Sequence, residues 1–114
     1  MTKQEGNKLI AEFMGLECDI MDGKLILRAK GKRYWYGKLY DEDWNELMNV
    51  VSKIESLAEQ KTGHISVNIV GSGCEICQYD YKKIVQSFDR TTKKIENVWH
   101  CVAEFIKWYN LQSL

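Results

Sequence analysis

The chain has 114 residues, no proline, and 16 basic against 16 acidic side chains. That length makes one domain, large enough to bury about two thirds of its unfolded surface without disulfides or metal. Hydrophobic (45%) and charged (28%) fractions argue against disorder, no apolar run reaches the ~20 residues of a membrane span, and zero net charge argues against a strongly basic nucleic-acid binder.

Residues 1–15 read as a helix. Thr2 is a candidate N-cap with Glu5 at the capping-box spacing, Leu9, Ile10, Phe13 and Met14 form an apolar stripe, and Gly15 is a stop signal. The charged start, Met1 to Glu12, lacks the apolar core of a signal peptide, so the expected location is the cytoplasm. Lys24–Ala29 and Arg33–Gly37 are runs of strand formers joined by Lys30-Gly31-Lys32, a turn of hairpin length. Asp22-Gly23 marks a further turn, which allows a short strand at Glu17–Ile20.

Residues 43–60 give the clearest helical pattern. Asp43 caps, Glu46 follows three positions later, and Trp44, Leu47, Met48, Val51, Ile54 and Ala58 keep the 3.6-residue period up to Gly63. Ile65, Val67 and Ile69 alternate with Ser66 and Asn68, which is the pattern of a half-buried strand. Gly71-Ser72-Gly73 turns the chain into Cys74–Tyr79, and Ile84–Phe88 is a third run, so an antiparallel meander is expected. A final helix spans 92–110, capped by Thr91 or Thr92. It carries two apolar stripes: Ile95, Val98, Trp99, Val102, Ile106 and Tyr109, and then Cys101, Phe105 and Trp108. The expected class is α+β: an antiparallel sheet sandwiched by helices in the order α-β-β-α-β-β-(β)-α, the bracketed strand being the weaker run.

The segments Asn7–Gly15, Asp43–Glu55 and Lys94–Asn110, with Cys74-Glu75-Ile76-Cys77 between them, resemble the phage ABA sandwich domains. These are small uncharacterised proteins of bacteriophages and prophages of gut bacteria. The closing run from Val102 to Asn110 is the most specific part of the likeness. The resemblance implies a sheet layered between helices and an intracellular accessory protein of a mobile element. It implies no catalytic residue, no cofactor and no established activity.

Three surfaces could carry function. Cys74-x-x-Cys77 is a zinc half-site or a redox motif by spacing. On a strand, however, its two thiols point to opposite faces, and His100 and Cys101 diverge by about 100° on a helix. The plain expectation is one thiol in the core and one on the surface. His64 at a helix end and the acids Asp41, Glu42 and Asp43 at a helix start fit dipole roles without chemistry.

The second surface is charge-based. Residues 24–38 hold Lys24, Arg28, Lys30, Lys32, Arg33 and Lys38 with no acid, around Tyr34, Trp35 and Tyr36. Aromatics beside phosphate-binding cations are how single strands are held. Alternation would leave either Tyr34 and Tyr36 or Trp35 outward. Lysine on an edge hairpin equally serves to prevent aggregation. The third surface is the Cys101, Phe105 and Trp108 stripe, a candidate protein interface. The leading expectation is a non-catalytic protein that contacts a host or phage protein or a second copy of itself, with no cofactor. Nucleic-acid binding through the hairpin comes second, and zinc or thiol chemistry third.

Overall fold

A computed structural model describes residues 1–21, 24–29, 32–35, 39–57, 65–78 and 82–112. The elements run α1 (Lys3–Phe13), β1 (Glu17–Met21), β2 (Lys24–Ala29), β3 (Lys32–Trp35), α2 (Trp44–Ser56), β4 (Ser66–Val70), β5 (Gly73–Gln78), β6 (Lys82–Ser87) and α3 (Lys94–Gln112). The α+β class and the antiparallel pairing agree with the sequence reading. The strands do not merge into one central sheet, however. They form two three-stranded meanders, β1-β2-β3 and β4-β5-β6. The Lys30-Gly31 turn, the Asp22-Gly23 turn, the 58–63 helix end and His64 lie outside the described residues.

The caps read at Thr2 and Asp43 are in place. Thr2 Oγ1 accepts from Glu5 N at 3.1 Å, and Asp43 Oδ1 accepts from Asn45 N at 3.0 Å and Glu46 N at 3.3 Å. Each carboxylate or hydroxyl satisfies amides that a helix start leaves without a partner. Gly15 takes φ +85° just past α1, a conformation that side chains resist. The Lys53 ammonium of α2 donates to the Phe13 carbonyl and sits 4.8 Å from the Phe13 ring centre, closing the C-terminal end of α1. The cap expected at Thr91 or Thr92 is not the start of α3. Thr91 Oγ1 donates to Asp89 Oδ1 at 2.6 Å, and the helix begins at Lys94.

One core unites the two sheets. Helix α1 lies on β1 and β2, α3 lies on β5 and β6, α2 lies on β4, and both α1 and α2 pack on α3. Ile10, Leu25, Leu47, Ile54, Ile76, Val98, Phe105 and Ile106 share one buried cluster. This explains why α3 is apolar over so wide an arc: it is covered on several sides.

The α1–α3 contact is tight. A Cβ on Gly6 would lie 2.3 Å from Trp99 Cζ2 and 2.7 Å from Cη2. The Trp99 ring cannot retreat freely, because its Nε1 donates to Asn7 Oδ1 at 2.9 Å. Asn7 Nδ2 in turn donates to Asp41 Oδ1 at 2.9 Å, and all three residues are buried. The surface end of this chain is Lys3, 3.7 Å from Asp41 and 3.2 Å from Glu96. The Lys3 ammonium is exposed to water, which screens both pairs, so the energetic weight lies in the buried amide.

These contacts set the sign of a substitution. Alanine is the better helix former by about 1 kcal/mol, yet overpacking costs about 1–3 kcal/mol. Gly6→Ala is therefore expected to lower stability in urea denaturation, and an unchanged or raised midpoint would contradict the close contact.

Candidate functional site on the outer face of the second sheet

Register and burial divide the β4-β5-β6 sheet into two faces. Val67, Ile69, Cys74, Ile76 and Ser87 face α3: Cys74 and Ile76 are fully buried, and Ser87 Oγ donates to Asn97 Oδ1 at 3.0 Å. Ser66, Asn68, Val70, Glu75, Lys83 and Gln86 face the other way, with Lys83 and Glu75 paired at 3.3 Å.

Cys74 and Cys77 therefore point to opposite faces, as the alternation predicts. The expectation of one thiol at the surface is corrected, because Cys77 is only 5% exposed. A register shift between Ile76 and Cys77 sets Cys77 opposite Lys83, and Asn68 and Glu75 also reach its sulfur. Burial, followed by the nearby Glu75 charge, pushes the Cys77 thiol up. Cys74 and Cys101 of α3 are buried in the same cluster, and the neighbouring Cys74 thiol, followed by burial, pushes the Cys101 thiol well above its ordinary range. Cys18 is raised by burial, then by Glu12. All four cysteines are free, and among the described residues no three His, Cys, Asp or Glu converge to hold a metal ion. The two thiols of the Cys-x-x-Cys pair, on opposite faces, cannot chelate one ion together.

The Cys101, Phe105 and Trp108 stripe is corrected as well. Cys101 and Phe105 are fully buried and Trp108 is half-buried, its ring centre 5.8 Å from that of Phe105. The Phe105 ring also stacks on Tyr109 at 6.1 Å, which meets Phe13 edge-on at 6.0 Å. The stripe is core rather than interface.

In the basic hairpin, Arg28 is the register partner of Arg33, and Leu27 that of Tyr34. On its other side Arg28 pairs with Glu17 of β1, so an acid-free stretch of sequence acquires an acidic neighbour in the sheet. Lys24 pairs with Met21 and Lys32 with Ala29. Lys30, Tyr36 and Lys38 lie outside the described residues.

What the sequence reading passed over is the corner formed by Val70 and Phe88. Val70 is 62% exposed and Phe88 44%. They flank Gly73, the register partner of Val70. The Phe88 ring lies against that glycine, where a Cβ would come within 2.2 Å of Cδ1 and 2.6 Å of the Ser87 carbonyl oxygen. Gly71, at φ +60°, opens the two-residue turn that brings β4 back into β5. The signal was present: Val70 is apolar at a position where the alternation from Ile65 calls for a polar residue.

Asn97 holds this corner in shape. Its Nδ2 donates to the Ser72 carbonyl at 2.7 Å and to the Asp89 carbonyl at 2.8 Å, which ties the β4–β5 turn and the β6–α3 loop to α3. Beside it lies a hollow of about 330 Å³ lined by Ser87, Asp89, Asn97, the exposed His100 and the Lys3–Glu96 ion pair, among others. The hollow lies on the α3 side of the sheet, where Ser87 meets Asn97, and the exposed apolar pair Val70 and Phe88 is by itself the candidate docking surface.

No protein-family model, curated protein or solved structure matches the chain.

The loop is tuned by a hydrogen-bonded carboxylate. The Thr91 hydroxyl first, then the Thr91 amide at 2.9 Å and the Thr92 hydroxyl, hold Asp89 below its ordinary value. A depressed folded value stabilises above the unfolded one and is lost as pH falls through the folded one. Thr91→Val is expected to raise the Asp89 midpoint in an NMR titration. Its stability deficit should be present at neutral pH and shrink in acid. A midpoint unchanged by the substitution would contradict the assignment.

Proposed function

We propose that the chain is a non-catalytic accessory protein that works inside a host bacterial cell by binding a host or phage protein. The docking surface is the Val70–Phe88 corner. The observation that carries this reading is the pair of exposed apolar side chains held on the open face of a sheet by the Asn97 clamp. Large apolar groups kept in water by a rigid support mark interaction sites more often than they mark folding errors.

The mobile-element context rests on the resemblance of the three helical segments. The proposed intracellular setting is compatible with four free cysteines and with the observation that no helix among the described residues is long and apolar enough to cross a membrane.

Phe88 is 44% exposed, and the covered part of its ring rests on Gly73. Phe88→Asp is expected to weaken capture of the partner at least tenfold in a quantitative pull-down, with circular dichroism showing the fold retained and a modestly lower thermal midpoint from the lost contact on Gly73. Equal capture by parent and variant would overturn the reading. So would retention of single-stranded oligonucleotides that falls with salt, which is the signature of the hairpin alternative.

A further inference from the structure

We infer that β4 is a self-association edge, through which two copies of the chain join their second sheets into one six-stranded sheet. This goes beyond the docking corner: it shares Val70 with it but concerns the backbone edge of β4 and does not involve Phe88.

The two edges of that sheet differ in kind. The β6 edge opens with Lys82 and Lys83, both exposed, and lysines on an edge strand repel a further strand. The β4 edge reads Ser66-Val67-Asn68-Ile69-Val70, with no charge and no proline. Strand β4 ends the sheet, and no backbone hydrogen bond between described residues reaches its outer side. The chain carries no net charge, so two copies approach without mutual repulsion.

The sequence of β4 selects a second copy as its occupant. A two-fold interface requires antiparallel pairing of the strand with itself. With the axis at Asn68, Val67 lies opposite Ile69 of the second copy, and Ser66 opposite Val70. Apolar residues then meet on the face toward α3, and the two Asn68 amides meet on the outer face. An axis between two residues would set Val67 against Asn68 instead and mix the faces. Five residues span only about 16 Å, which is less than a standard interface, so the dimer should be weak and dependent on concentration.

The test is sedimentation equilibrium over a wide range of concentration. The parent should shift from monomer toward dimer and go no further, because an isologous contact closes on itself. Ser66→Lys and Val70→Glu should each weaken association at least tenfold with unchanged circular dichroism. The double variant should restore it, because in the antiparallel register the introduced lysine of one copy lies against the introduced glutamate of the other. Phe88→Asp should leave the dimer intact, which separates this inference from the docking corner. A parent that stays monomeric to its solubility limit, growth into larger polymers, or a double variant no better than the singles would each overturn it.

Discussion

Trp99 is the constraint on which the arrangement depends. Its ring occupies the space a side chain on Gly6 would need, and its indole nitrogen is committed to Asn7. Asn7 Nδ2 in turn donates to Asp41, in the segment entering α2. A single buried amide therefore fixes α1 against α3 and both against the start of α2. Each group has a partner, and a buried polar network stabilises a fold only under that condition. With α1 bound to the first sheet and α3 to the second, two small meanders that would be marginal alone share one core.

The same helix prepares the candidate surface. Asn97 lies two residues before Trp99, on the α3 turn that meets the second sheet, and it grips both loops at one end of that sheet. Rigid support of this kind lowers the ordering cost of binding, since the corner need not be arranged when a partner arrives. In the first sheet, Arg28 is the register partner of both Glu17 of β1 and Arg33 of β3.

Local features were legible in the sequence, and distant ones were not. Caps at Thr2 and Asp43, the positive-φ stop at Gly15 and the strand alternation from Ile65 to Ile69 all depend on neighbours within a few residues, and the structure shows them in place. Which strands share a sheet depends on packing across the whole chain, so one expected sheet became two. The Cys101 and Phe105 stripe was ambiguous for a related reason: a helix with a wide apolar arc looks the same whether a partner or its own chain covers it. Cys77 escaped because alternation gives direction but not cover. It points outward, and burial comes from its neighbours in the sheet. Phe88 was hidden in a run read simply as a strand, since nothing local announces that it rests on Gly73.

The claim that α3 joins both meanders into one cooperative core is tested most directly by native-state hydrogen exchange in increasing denaturant. If it holds, the slowest amides of β2 and β5 open with the same free energy and the same denaturant dependence, equal to those of global unfolding. A lower, separate opening of β2 while β5 stays protected would show that the two sheets stand independently and would contradict the account.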